Sequence, residues 1–284
     1  MIWKFRGREI DLSWRGVILG IVNATPDSFS DGGMFVDAAA ACDHGLNLLA
    51  EGASILDVGG ESTRPGSLPV SAEEEINRVL PVIRALRART KAPISIDTSK
   101  AVVAEAAIDA GADIINDVTA LRGDPRMPAL ASSTRAGLIL MHMQGTPQTM
   151  QEAPSYPQDD VVDEVAKFLS ERRDAALGCG VDHAAIIFDP GLGFGKTVAH
   201  NLSLLRHIPL LAGLGSPLLI GHSRKSFLAK IAGEDDARNL SSDRLSPGIA
   251  VTSIAREQGA RLFRVHEPQP HAAALRITEA ILSA

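Results

Sequence analysis

Asp97, Asn116 and Asp189 each close a short β-branched apolar run, PISID, DIIND and AIIFD, so three separate segments end on a side chain that can accept hydrogen bonds. Brought into one pocket, two carboxylates and an amide can hold a metal, exchange protons or grip the edge of a heterocycle. A metal hydrolase would bring paired histidines, and neither His-x-His nor HExxH occurs in the chain. Side-by-side N–H groups, as on a 2-amino-4-oxo heterocycle, suit bidentate capture by a carboxylate. Taken singly, Asp97 also reads as a helix cap and Asn116 as a turn former. Three such ends together favour a ligand.

The cations are as local as the acids. Ser223-Arg224-Lys225-Ser226 opens a short helix, where free N–H groups, hydroxyls and two positive charges suit an anion. Arg264 and His266 alternate with Phe263 and Val265, so they share one strand face, where an unpartnered arginine would be costly. An anionic ligand would resolve that cost, with Arg64 and Lys225 adding to the field. The formal net charge is −6, which argues against nucleic acid as a partner and leaves these few positions to meet any anion. The segment PGLGFGKT (190–197) fails as a phosphate loop, because Pro190 stands where a Walker A glycine belongs and Lys196 where a dinucleotide motif needs its third glycine. Its glycines read as letting backbone approach a flat ligand, with Phe194 as an apolar wall. His142 and His222 each end a run as lone histidines, and satisfied core histidines are the plainer reading. The segments 23–33 and 59–66 carry the Gly, Pro, Ser and Thr of mobile lids.

Elements that could position these groups recur along the chain. Eight runs end in polar residues, at Asn23, at Glu61 and Thr63, at Asp97, Asn116, His142, Asp189, Ser223 and His266. Helical patterns fall between them at 37–51, 71–89 with Ser71 and Glu74 as a capping box, 101–110, 127–135, 159–177, 201–207, 247–258 and 271–282. Gly52, Gly111, Gly137, Gly178, Gly180 and Gly259 stand where helices close in left-handed backbone. Parallel strands with crossover helices, eight times over, predict a single α/β domain over residues 1–284, a (β/α)8 TIM barrel with its active site at the C-terminal ends of the strands. No apolar stretch is long enough for a membrane span, and residues 1–9 are charged, so a cytoplasmic protein without a membrane partner is expected. Cys42 and Cys179 lack any partner motif and read as thiols.

The motifs NATPDSFSDGG, DVGGESTRPG, SIDTSK, IINDV, LMHMQGTPQTMQ, FDPGLGFGKT, SRKS and RVH stand in this order from about residue 17 to 282, and with them the chain resembles the dihydropteroate synthases of the pterin-binding barrel family. The resemblance implies condensation of 6-hydroxymethyl-7,8-dihydropterin diphosphate with 4-aminobenzoate, releasing 7,8-dihydropteroate and diphosphate in folate biosynthesis, with sulfonamides as inhibitors. It implies a pterin pocket of Asp97, Asn116, Asp189 and Lys225, with Met141 packing on the ring. Diphosphate falls to Asn23, Arg264 and His266, with Asn23 also a ligand of Mg2+, the one expected cofactor. Thr63, Arg64, Pro65, Phe194 and Ser226 fall around aminobenzoate, and Asp31 is a loop acid that closes the site. Asp97, Lys225, Asp31 and Arg64 are thus the catalytic candidates, and a homodimer is the family precedent. Ala24, Leu192 and His222 depart from common family residues and bear on affinity more than on reaction. A methyltetrahydrofolate:corrinoid methyltransferase would share the acids but has little use for the SRKS run or the Arg264 and His266 pair. A non-catalytic pterin binder and a Schiff-base aldolase using Lys225 are the remaining alternatives.

Overall fold

A computed structural model describes residues 1–25, 37–157, 160–233 and 245–284. The chain opens with an antiparallel hairpin, β1 (Ile2–Phe5) and β2 (Arg8–Asp11), which none of the eight runs anticipates. From β3 (Val17–Asn23) strands and helices alternate through α1 (Ala38–Ala50), β4 (Ile55–Gly59), α2 (Ala72–Arg89), β5 (Ile94–Asp97), α3 (Ala101–Asp109) and β6 (Ile114–Asp117). Next come α4 (Met127–Thr134), β7 (Gly137–Met141), α5 (Val161–Gly178), β8 (Ile186–Asp189), α6 (Val198–Arg206) and a short α7 (Ile208–Ala212). The last elements are β9 (Leu219–Ile220), α8 (Ser226–Ile231), α9 (Leu245–Glu257), β10 (Leu262–Val265) and α10 (Pro268–Leu282). The parallel strands lie in the order β8-β7-β6-β5-β4-β3-β10-β9, and a Phe188–Leu218 bridge joins the two ends. The sheet is therefore a closed (β/α)8 barrel, as the repeat predicts.

Side-chain alternation along each strand separates two cores. Ile18, Val22, Leu56, Ile96, Ile115, Phe188 and Phe263 pack outward against the helices. Leu19, Ile55, Ile114, Ile139, Ile187, Leu219 and Leu262 fill the lumen, and Trp3, Phe5 and Leu12 from the hairpin stopper its lower end. Trp3 is fully buried and donates its indole N–H to the Ala185 carbonyl at 2.8 Å. Gly137 makes room for this plug, since a Cβ there would stand 3.0 Å from the Trp3 ring. Its glycine answers to packing and not to helix closure; Arg135, at φ 53°, turns the chain after α4, and Gly178 is the last residue of α5. The other four glycines named above, Gly52, Gly111, Gly180 and Gly259, do take positive φ. Trp3→Ala is expected to cost about 3–5 kcal/mol. Calorimetry should show a Tm lower by roughly 10 °C, with turnover retained at 20 °C because the plug lies at the opposite end from the polar strand ends.

Two helices begin three residues earlier than their sequence patterns indicate. Thr197 accepts from His200 N at 3.1 Å, and His200 Nδ1 accepts from Thr197 N at 3.3 Å, a reciprocal cap with histidine in place of Glu or Gln that starts α6 at Val198. α10 starts at Pro268, whose ring suits a first-turn position. No described helix is long and apolar enough to cross a membrane.

Candidate active site

Above the apolar layers the lumen turns polar. The alternation that puts Ile55, Ile114, Ile187 and Leu262 inside also puts Asp57, Asn116, Asp189 and Arg264 inside, two residues further along the same strands. Asp97, from β5, completes the ring. Asp97, Asn116, Asp189 and Arg264 floor a cavity of about 1490 Å3, with Asp57 buried beneath them, and its walls include Asn23, Thr63, Arg64, Pro65, Met141, Phe194, Lys225, Ser226 and His266. Every site residue proposed above therefore meets at one place, except Asp31, which lies outside the described residues.

Arg264 corrects the sequence reading. Its Nε donates to Asp57 Oδ2 at 2.6 Å and its Nη2 to Asp97 Oδ2 at 2.8 Å, so its partners are carboxylates of the barrel itself and no ligand is required to justify its charge. Burial works against the guanidinium, and the Asp57 and Asp97 charges more than offset it, holding Arg264 more firmly protonated than usual. Asn116 Nδ2 donates to Asp57 Oδ2 at 3.2 Å, which leaves the amide oxygen available to a ligand. Asp57, fully buried, is the residue that sequence reasoning missed. SILDVGG was read toward Glu61 and Thr63, although the alternation from Ile55 already places an acid in the lumen at 57.

Burial pushes the Asp97 carboxyl up to about 7, with Arg264 opposing and the Asp57 charge adding to the rise. Asp189 is pushed up to about 6, again chiefly by burial, while a 2.7 Å bond from Gly191 N to its Oδ1 and the Lys225 charge pull the other way. Lys225 moves down to about 8 through burial and repulsion from Arg264. Its Nζ stands 4.1 Å from the centroid of the Phe194 ring, a cation–π contact at the cavity wall. Met141 packs with Val118, Met143 and Met150 beside that ring.

The rim groups are held by their neighbours. Ser223 Oγ accepts from His266 N at 3.2 Å and meets His266 Nδ1 at 3.0 Å, and burial lowers His266 to about 3, so the ring is neutral at ordinary pH. Asn23 ends β3 opposite Gly59. The segment expected to be a mobile lid at 59–66 is laced in place: Ser67 N and Oγ both donate to Arg64 O, at 3.0 and 2.8 Å, and Gly66 N donates to Pro147 O at 2.9 Å. At its base Glu61 pairs with Lys100, which also donates to the buried Glu75 at 2.6 Å. Among the described residues no group of three or more His, Cys, Asp or Glu could hold a metal ion.

A family model described as pterin binding enzyme matches residues 19–266. This chain belongs to the pterin-binding enzyme family, with the dihydropteroate synthases. The dihydropteroate synthase of Neisseria meningitidis serogroup C is 46% identical over 283 residues, covering 99% of this chain and 97% of that protein. The Xanthomonas albilineans dihydropteroate synthase solved with 4-aminobenzoic acid superposes with a TM-score of 0.90 at 45% identity, covering 100% of this chain and 98% of the other. The Yersinia pestis dihydropteroate synthase in a sulfonamide drug complex gives a TM-score of 0.89 at 40% identity, covering 100% of this chain and 99% of that one.

Within this pterin-binding barrel the lone histidines are accounted for. His142 Nδ1 meets Lys196 Nζ at 2.9 Å, and burial lowers its pKa to about 2. His222 Nε2 meets Thr252 Oγ1 at 2.9 Å, and the same hydroxyl meets His271 Nδ1 at 2.7 Å. Both are buried and satisfied by protein groups, as the plainer reading has it. The departures at Ala24, Leu192 and His222 are likewise buried, and none removes a polar group from the cavity floor. The glycines of 190–197 are a correction: a Cβ on Gly191 would lie 1.9 Å from His142 O, and one on Gly195 2.5 Å from Gln144 O. Gly191 and Gly195 thus admit neighbouring backbone, while Gly193 faces the Lys225 side chain at the cavity wall.

Proposed function

We infer that this chain joins 6-hydroxymethyl-7,8-dihydropterin diphosphate to 4-aminobenzoate, yielding 7,8-dihydropteroate and diphosphate. The observation that carries this reading is the division of one cavity into a floor of Asp97, Asn116 and Asp189 and a rim of Lys225, His266 and Arg64. The floor accepts hydrogen bonds from the N–H-rich edge of a pterin, and the rim faces anionic groups. Lys225 donates to the ring, with Met141 packing on its face. Asn23, His266 and the third nitrogen of Arg264 meet the diphosphate, while Thr63, Pro65, Phe194 and Ser226 enclose the aryl amine and Arg64 attracts its carboxylate. Asp31 belongs to this reading as the acid that closes the site.

Asn23 offers a single amide oxygen, a donor set that fits a Mg2+ ion carried in on the diphosphate, with phosphate oxygens and water as its other ligands. When bound there it would neutralise charge on the departing oxygens. The chain's own residues do the rest: Asp97 and Asp189 stabilise a developing methylene cation on the pterin, and the wall around Phe194 holds the neutral amine in line to attack it. The C–O bond breaks first, the amine nitrogen then bonds to carbon, and the nitrogen's proton leaves to solvent. Positional isotope exchange in the bridging diphosphate oxygen without aminobenzoate reports that order, and its complete absence counts against it.

Turnover of the pterin diphosphate with and without aminobenzoate, followed by diphosphate release, tests the reading; no release above background with both substrates overturns it. The pH profile of kcat/KM for the pterin diphosphate should be bell-shaped. Asp97 and Asp189 accept as carboxylates, so activity falls as pH drops through about 7 and then about 6, and it falls again as pH rises through about 8 and Lys225 loses its proton. A flat profile from pH 5.5 to 9 is incompatible with these roles. Sulfonamides should compete with aminobenzoate, visible as a KM that rises linearly with inhibitor at constant kcat.

A cytoplasmic location belongs to the same reading, supported by two free cysteines, Cys42 and Cys179. So does a homodimer, supported by Ile254, Ile277, Ile281 and Leu282 exposed on α9 and α10.

A further inference from the structure

Three successive backbone carbonyls carry the aromatic wall, and each accepts a hydrogen bond from a side chain rather than from backbone. Gln151 Nε2 donates to Gly193 O at 2.6 Å, Lys196 Nζ to Phe194 O at 3.0 Å and Tyr156 OH to Gly195 O at 2.8 Å. The amide of Gly193 is taken as well, donating to Asn201 Oδ1 at 2.7 Å. Lys196 is the centre of this arrangement. Its side chain is 3% exposed, and its three N–H groups find three acceptors: Phe194 O, His142 Nδ1 at 2.9 Å and His142 O at 3.4 Å. The neutral His142 ring accepts at Nδ1, so the ammonium has no donor left for a ligand although it borders the cavity.

We propose that Lys196 is a positioning residue that sets the place of Phe194 and thereby the affinity for the aromatic amine substrate. This rests on the reading of Phe194 as part of the aminobenzoate pocket. The physical reason is that a ring on a loop packs against a flat ligand only if the loop is fixed to within a few tenths of an ångström. The loop's own backbone bond, Phe194 N to Gly191 O at 3.1 Å, leaves these three carbonyls to the side chains, and Gly191, Gly193 and Gly195, at φ 66, 79 and 64°, give the loop no stiffness of their own. Lys196 ties the carbonyl of Phe194 itself to the strand end at His142. Burial lowers the Lys196 pKa to about 7, opposed by the Asp189 charge, so the three-bond clamp belongs to the protonated form. Asp97, Asn116 and Asp189, which grip the pterin, sit on strands and not in this loop, so the larger effect should fall on the aromatic amine.

Steady-state kinetics of the full chain with both substrates varied separates the possibilities. Lys196→Met should raise the aminobenzoate KM about tenfold, leaving the pterin diphosphate KM within about twofold and kcat within about threefold; Tyr156→Phe, which deletes one hydroxyl, should raise the same KM about threefold. A variant that merely loosened the fold would lower its melting temperature and the active fraction, reducing kcat without splitting the two KM values. Unchanged aminobenzoate KM in folded Lys196→Met, or equal rises in both KM values, overturns the proposal. Should Lys196→Met fail to fold, Tyr156→Phe decides by the same criterion. A wild-type chain that does not turn over aminobenzoate removes the functional reading itself, and the proposal with it.

Discussion

Asp97→Asn will lower kcat/KM for the pterin diphosphate by about 10³-fold while leaving the aminobenzoate KM within about threefold. Asp97 offers a charged acceptor at the floor of the cavity, and hydrogen bonds to a charged group contribute about 1.5–3 kcal/mol each, so two N–H contacts are worth about 3–6 kcal/mol. The amide is the same size but turns an NH2 toward an edge that is itself made of donors, converting attraction into a clash of like dipoles. Arg264 keeps its Nε bond to Asp57 in the variant, so the fold is retained. The acid limb of the pH profile near 7 should vanish with the carboxyl, and only the Asp189 limb near 6 should remain. A loss smaller than tenfold in initial-rate measurements would remove Asp97 from the pterin grip.

Arg264→Met should damage stability as well as turnover. The guanidinium is the shared partner of Asp57, fully buried, and Asp97, whose side chain is 11% exposed. Removing one partner of such a set leaves negative charge in the lumen without compensation, which costs about 3–5 kcal/mol. The pH dependence has a definite sign. Asp97 already binds its proton more tightly in the folded chain than in the unfolded one, at about 7 against an ordinary 3.8, and loss of Arg264 raises it further. The native state then holds more protons than the unfolded state across that window, so stability falls as pH rises through it. Denaturant midpoints should show a deficit that is larger at pH 8 than at pH 5. A deficit independent of pH would mean that the charge pairing is not what Arg264 supplies.

These two residues also mark how far sequence reading reaches. Asp97, Asn116 and Asp189 were legible because each ends an apolar run, and in a parallel barrel the ends of runs converge whatever the loops do. Arg264 was legible as a lumen residue by alternation with Phe263 and Val265, yet its partners were not, because they lie on β4 and β5, far away in sequence. Asp57 was hidden inside a run, where a single acid reads as an interruption. The hairpin plug was missed since Trp3 and Phe5 form part of a core only when the barrel floor is present to receive them.

The glycines of 190–197 show the same boundary from the other side. Their number and spacing were plain, but at Gly191 and Gly195 the clearance is for the backbone of His142 and Gln144, just past β7 and some fifty residues earlier, which no local pattern shows. What the order of residues determined by itself was everything that depends on periodicity: eight parallel strands, their inward and outward faces, and the polar groups at their ends. What only the tertiary structure decided was pairing across the lumen, the Arg264 bridge between two acids and the Lys196 clamp on Phe194. Periodicity is a property of neighbours along the chain, whereas electrostatic compensation depends on distances between segments that closure of the barrel alone brings together.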